Sequence, residues 1–226
     1  MIKTRRTHWH AAVYLSLALV FAFATVSFAQ MGMRGPTLMG FFHPKVGAGA
    51  AYLTTDNNGQ TTEMEISVVG KENQGGTDAY WMEISFASQT AFKYLVAIQG
   101  NTIRFYRAIF KNPQMGVMEM PEMMLSRMSE ALGQNFSADE TFMGKNLGTE
   151  VIMTKVGPKT CTHWQKESQL GVSDLWLSKD VYPNSIVKSI MKSKDGGTHT
   201  TELIRLITDA KTKITEEPRK FPMPER

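Results

Sequence analysis

Residues Asp78–Phe110 read DAYWMEISFASQTAFKYLVAIQGNTIRFYRAIF, and the alternation inside this stretch decides the fold. Tyr80, Met82, Ile84 and Phe86 fall on one side of an extended chain, with Trp81, Glu83 and Ser85 on the other. Phe92, Tyr94, Val96 and Ile98 form the next apolar face, and Gly100-Asn101 supplies a tight connection. Thr102–Phe110 then predicts Ile103, Phe105 and Ile109 facing away from Arg104, Tyr106 and Ala108. Successive side chains of a strand point to opposite faces, so period-two patterns of this length predict half-buried strands.

The same pattern extends in both directions. Gln60–Gly70 places Met64, Ile66 and Val68 against Glu63, Glu65 and Ser67. Toward the C-terminus, strands are expected at Thr149–Val156, Lys159–Ser168, Val172–Ser178 and Thr198–Thr208. Ser185–Lys192 reads as strand or helix, because its alternation and its Ile186/Ile190 spacing disagree. Asp56-Asn57-Asn58-Gly59, Gly75-Gly76 and Gly196-Gly197 are turn chemistries that tolerate positive φ or cap locally. Short, regularly spaced strands joined this way predict a mainly β (α+β) fold built on an antiparallel sheet.

One segment departs from the pattern. Pro121 suits the first position of a helix and Gly133 its stop, with Met124, Met128, Ala131 and Leu132 at helical spacing between them. Ser137-Ala138-Asp139-Glu140 is a capping-box pattern for a second helical turn. One or two helices are therefore expected over the sheet.

Six methionines, Met115, Met118, Met120, Met123, Met124 and Met128, fall between positions 115 and 128. Three readings are open. They can be core residues of a helix lying on the sheet. They can face a cavity, since the unbranched, polarizable thioether re-packs around apolar ligands of varied shape. Or Met115, Met118 and Met120 can share a Cu(I) ion, which soft thioethers select.

The chain begins with an address. Lys3, Arg5 and Arg6 precede an apolar run over Ala11–Phe23, and Ser27 and Ala29 stand at −3 and −1 of a cleavage pattern before Gln30. That is the layout of a secretory signal peptide, so residues 1–29 are expected to be removed and the protein exported, to the periplasm in a Gram-negative source. The apolar run is shorter than the roughly 20 residues of a spanning helix. Arg5-Arg6 also admits a twin-arginine route. Residues 30–45 are expected as a flexible N-terminal segment, 46–215 as a single sheet domain and 216–226, which carry three prolines, as a loose tail.

Composition narrows the functional classes. The 226 residues hold 25 Lys+Arg against 21 Asp+Glu. Removing residues 1–29 takes three bases and no acid, so the net charge falls from +4 to +1. No basic stripe with interleaved aromatics marks a nucleic-acid surface. One cysteine, Cys161, excludes a disulfide framework and a four-Cys metal cage. Cys161 and His163 share a strand face by spacing, but two ligands close no metal site and a nucleophile pair needs an orienting third group. The chain carries no G-x-S-x-G, H-E-x-x-H or G-x-x-x-x-G-K-[ST] motif. The expectation is a non-enzymatic protein with no catalytic residues, no metal site and no cofactor.

Read in order, VGAGAAYL (46–53), EMEISVVGKE (63–72), AYWMEISF (79–86), FKYLV (92–96), MEMPEMM (118–124) and TKITEEPRKF (212–221) resemble an uncharacterised bacterial exported family related to the LolA/LolB-type outer-membrane lipoprotein carriers. The resemblance implies a strongly curved antiparallel sheet, an unclosed half-barrel whose concave apolar side is covered by helices. In such carriers that side holds acyl chains, and no catalytic residues accompany it. The expected ligand-binding residues are Phe92, Tyr94, Val96, Ile98, Met120, Met123, Met124 and Met128. The expected role is sequestration of a lipid or other apolar ligand. Its rival is an envelope interaction module with a filled core that docks a protein partner.

Overall fold

The computed structural model describes residues 40–126, 136–137, 144–169 and 171–221. It contains fourteen strands: β1 (Gly40–Phe41), β2 (Ala48–Thr55), β3 (Thr61–Gln74), β4 (Thr77–Phe86), β5 (Ala91–Gln99), β6 (Thr102–Asn112), β7 (Gly116–Glu119), β8 (Phe136–Ser137), β9 (Lys145–Thr154), β10 (Gly157–Ser168), β11 (Gly171–Leu177), β12 (Ile186–Ser193), β13 (Thr198–Thr208) and β14 (Arg219–Lys220). A helix, α1, is described over 122–126, and its expected course to Gly133 lies outside the described residues. Twelve strands form one sheet in the order β14-β7-β6-β5-β4-β3-β2-β13-β12-β11-β10-β9, and β1 pairs β8 separately.

The order records two meanders. Strands β2 to β7 follow one another antiparallel, and so do β9 to β13. One antiparallel ladder joins the meanders, from Thr200↔Thr55 to Thr208↔Ala48 between β13 and β2. β14 adds a short parallel pairing on β7. The sheet is open, with β14 and β9 as its two ends. Register shifts interrupt five of its ladders, at Val68/Gly70, Leu95/Val96, His163/Trp164, Trp176/Leu177 and Leu203/Arg205. An extra residue on one strand bends it and increases its twist, so these shifts give the sheet the curvature of an unclosed half-barrel.

Cross-strand rows build the concave side. Ala50, Ile66, Ile84, Phe92, Phe110 and Met118 lie opposite one another in turn, all buried. A parallel row runs Leu203, Tyr52, Met64, Phe86. From the second meander Cys161, Leu175, Leu177, Ile186 and Val187 join the same core. Each large apolar side chain fully buried here stabilises the fold by about 1.5–3 kcal/mol before entropy is counted.

The shift at Leu95/Val96 corrects one expected face. Val96 opposes Phe105 but Leu95 opposes Arg107, leaving Tyr106 as the extra residue. Beyond it Ala108 and Phe110 turn to the concave core, and Ile109 turns to the convex side with Ala91, Val117 and Ile214. Simple alternation cannot register an inserted residue, so Ile109 and Ala108 exchange the sides expected of them.

The convex side is also covered. After β13 the chain crosses it as a strap toward β7. Glu83, only 2% exposed, accepts the Thr212 hydroxyl (2.5 Å) and the Lys213 backbone N–H (2.8 Å). Ile214 then buries itself in the convex cluster. Lys111 Nζ donates to the Lys213 carbonyl (3.2 Å) and pairs with Glu216 (2.7 Å). Arg219 Nη2 donates to the Met115 carbonyl (2.6 Å) as β14 forms. The tail expected from Glu216 thus contributes ordered contacts as far as Phe221, whose N–H reaches the Glu119 carbonyl (3.3 Å).

Residues 40–45, expected within a flexible segment, are pinned to the turn after β11. Phe41 N–H donates to the Asn184 carbonyl (3.1 Å), His43 N–H to the Pro183 carbonyl (2.9 Å), and Phe42 is buried in the core. Gly40 allows this approach: at φ 111° a Cβ would stand 2.2 Å from the Asn184 carbonyl oxygen.

Candidate functional site

The concave wall of β3 to β7 is the apolar surface on which a ligand site can be built. Phe92 lies 5.0 Å from Phe110 and 6.2 Å from Tyr94 by ring centroid, with Phe86 edge-on at 6.4 Å. Tyr94 meets Phe105 edge-on at 5.9 Å. The tilted and edge-to-face pairs suit ring quadrupoles, and the wall is largely aromatic. Burial pushes the Tyr94 hydroxyl above its ordinary range, which keeps it neutral.

Phe92, Tyr94 and Val96 are buried members of this wall, and Ile98 packs against it half-buried. Met120 and Met115 also pack against it from the segment between β7 and α1 and the turn before β7. The Met120 N–H donates to the Ala108 carbonyl (2.9 Å), which carries the β6–β7 pairing to the threshold of the helix. The Pro121 carbonyl accepts the N–H of Met124 (2.9 Å) and of Leu125 (3.0 Å), so the helix starts where the proline predicts. Within α1, however, Leu125 is the residue set into the core. Met123 and Met124 are 54% and 37% exposed and point away from it. Met128 lies outside the described residues. The helical phase explains the split, because neighbouring positions about 100° apart cannot all face one sheet.

Of the methionines before the helix, Met118 belongs to a strand. Met118 sits in β7 directly opposite Phe110 and is buried there. β7 has four residues, too few for alternation to announce it. Ser137, expected to open a helical turn, lies in β8, and the rest of that capping pattern falls outside the described residues.

Cys161 and His163 occupy different surroundings. The Cys161 thiol is buried, donates weakly to the Lys159 carbonyl (3.4 Å), and is pushed up to about 11 by burial and then by Asp180 and Glu150. His163 stacks on Trp176 at 4.3 Å, with Nδ1 3.1 Å from Glu150 and Nε2 3.1 Å from Asp174. The two carboxylates flank opposite ring nitrogens and do not converge. Among the described residues no three His, Cys, Asp or Glu side chains are gathered for a metal ion.

One pair escaped sequence reasoning. Ser185 Oγ lies 3.1 Å from His43 Nδ1, and His43 Nε2 lies 2.8 Å from the Lys179 carbonyl oxygen. With Nε2–H donating to that carbonyl, Nδ1 accepts from the serine. Ser185 is buried at φ 61°, and its hydroxyl also lies 3.2 Å from the Phe41 carbonyl oxygen. The partners' separation of 142 positions leaves no local signal. A buried serine whose histidine is oriented by a carbonyl rather than a carboxylate fits a clasp on the N-terminal segment.

The architecture is that of an open, curved, mainly antiparallel sheet with an apolar concave wall. No protein-family model matches the chain, and no curated protein matches it. Solved structures give partial likenesses. A candidate lipoprotein of Parabacteroides distasonis matches at 13% identity over 74% of this chain and 99% of its own, with a TM-score of 0.39. A candidate exported protein with a YmcC-like fold from Bacteroides fragilis matches at 15% over 74% and 99%, with a TM-score of 0.40. The MucA/MucB complex of Pseudomonas aeruginosa matches at 12% over 73% of this chain and 52% of the other, at 0.41. At such identities and scores no residue role, ligand or partner passes from them to this chain. No described helix is long and apolar enough to cross a membrane.

Proposed function

We propose that this is an exported, non-enzymatic binding protein that holds an acyl-bearing or other apolar ligand against its concave wall, in the periplasm if the source is Gram-negative. The observation that carries the reading is the unbroken apolar row from Ala50 through Ile84 and Phe92 to Met118, with Leu125 of α1 as its cover. Burying ligand methylenes there would contribute about 0.8 kcal/mol each. Leu125 of α1 packs on this wall and is the side chain that must move to admit them.

The second reading is a filled-core interaction module that docks a protein. It is favoured by the burial of Phe92, Tyr94, Val96, Phe105 and Phe110 against neighbouring side chains. Native mass spectrometry of protein purified from an exporting host, followed by lipid extraction, separates the two. Near-stoichiometric acyl lipid supports the carrier reading. A ligand-free mass, together with no uptake of a fluorescent fatty acid by either the native protein or a folded Leu125→Ala variant, sinks it.

A further inference from the structure

The C-terminal strap and the concave wall are both fastened to β7, a strand of four residues. On the convex side Val117 is buried with Ile214 of the strap. On the concave side Met118 lies opposite Phe110, and Met115 and Met120, just before and just after the strand, pack against the core. Met120 leads through Pro121 into α1, whose Leu125 is buried in the same core. The strap also holds the backbone here. β14 pairs with β7 at Arg219↔Met118 and Lys220↔Glu119. Arg219 Nη2 donates to the Met115 carbonyl (2.6 Å), and Phe221 N–H donates to the Glu119 carbonyl (3.3 Å). Gly116, at φ 75°, makes room for the guanidinium, since a Cβ there would stand 3.3 Å from Nη2.

The strap's anchors differ in what depends on them. Glu83 belongs to β4, which is paired along its length with β3 and β5 and stays in the sheet without the strap. β7 pairs with β6 on one side and, among the described strands, with β14 alone on the other. Losing β14 would leave β7 a four-residue edge strand held by one ladder and by side-chain packing. Segments with few backbone pairings open locally at lower cost than the sheet around them. Strap docking and closure of the wall therefore favour the same position of β7. A single element whose position two sites both bias is what couples them.

We infer that the C-terminal strap is a latch on the concave wall. With β14 docked, β7 holds Met115, Met118 and Leu125 against the wall, and with β14 released that side of the wall opens. Its use in admitting or discharging an apolar ligand rests on the function proposed above, whereas the coupling itself does not.

The test uses the full chain carrying Arg219→Ala/Phe221→Pro. These changes remove the guanidinium bond to Met115 and the N–H bond to Glu119, and leave the Glu83 and Ile214 anchors in place. Amide exchange is read at Met120, Met124 and Leu125, whose N–H groups donate to the Ala108 and Pro121 carbonyls. Exchange there should accelerate at least about tenfold, the scale of one or two lost hydrogen bonds, while residues 94–97 of β5 keep native rates. Ile214→Ala, which loosens the strap at Val117 and keeps β14, should act in the same direction to a smaller degree. Native rates at the three amides in both variants overturn the latch. So does acceleration that reaches β5 equally in both, because the strap would then support the whole sheet. Stopped-flow uptake of cis-parinaric acid should be faster in the double variant, and equal rates of uptake overturn the latch as a gate. Accelerated exchange at the three amides with no uptake by any form upholds the coupling and removes the ligand reading instead.

Discussion

Tyr52 shows how one side chain ties the two meanders together. Its ring lies in the concave core, while its hydroxyl donates toward Asn184 Oδ1 (2.8 Å) and the Ile186 carbonyl (3.1 Å). Burial drives the phenol far above its ordinary range, so it stays a neutral donor. Replacing Tyr52→Phe keeps the ring and strands buried acceptors, which costs about 1–3 kcal/mol. The expected result is a lower urea midpoint with an unchanged slope, and an unchanged midpoint would show that Asn184 finds another donor. The ring falls within the sheet domain expected over 46–215. Its partner was not legible, since Asn184 lies 132 residues away in a turn whose conformation no local pattern encodes. Glu83 was hidden for a related reason. Flanked by Trp81 and Ser85 it reads as a solvated strand face, and only the distant Thr212 and Lys213 make it a buried anchor.

At the scale of the element, the strands of the first meander are written plainly in alternation and glycine turns. The expected spans 78–86, 92–98 and 102–110 fall inside β4, β5 and β6. Ser185–Lys192, which alternation and helical spacing contested, is strand β12 from Ile186, because a sheet neighbour on each side outweighs spacing within eight residues. The strap was the least legible element. Its sequence, TKITEEPRKF, is polar and proline-bearing, and its one buried apolar residue, Ile214, has no periodic companions. Its hold on the sheet can be tested at Glu83. The Glu83→Ala variant removes the acceptor for the Lys213 N–H and the Thr212 hydroxyl, with an expected loss of about 1–3 kcal/mol. Hydrogen exchange at Lys213 should accelerate while exchange in the β5–β6 ladder stays slow. If both accelerate alike, the strap does not open as a separate unit.

Across the whole molecule, acid should loosen the convex side first. Glu65 receives Lys213 Nζ and, at 2.8 Å, Arg205 Nη2, which also reaches Glu63 at 3.1 Å. Burial pulls the Glu65 carboxyl upward, but the hydrogen bonds and charges of Lys213 and Arg205 together outweigh it and hold the group below its ordinary value. A carboxylate depressed in the folded state contributes stability above its unfolded pKa and loses it as pH falls through the folded one. The contribution is therefore full at neutral pH and disappears in the range below about pH 4. Glu65→Gln should lower the urea midpoint at pH 7, and its difference from the native chain should close as pH falls below the ordinary carboxylate range. A gap of constant size across that range would place the effect elsewhere than in the ionised pair. The site divides along the same lines of legibility. Phe92, Tyr94, Val96 and Ile98 could be read from period two. The exposed positions of Met123 and Met124 could not, since a rich run of thioethers does not say which turn of a helix meets the sheet.

The joining ladder between β2 and β13 has a consequence in time. Every other pairing within the two meanders links strands adjacent in the chain, whereas Tyr52↔Leu203 spans some 150 positions. Local hairpins form fast, and ladders between remote segments wait on the entropy of closing a long loop. The first meander can assemble while β13 is still unmade or undelivered, leaving one edge of β2 open until the last long strand arrives. The order of assembly is thus built into the strand order, and the interval before that closure is when the half-made sheet is most open to mispairing.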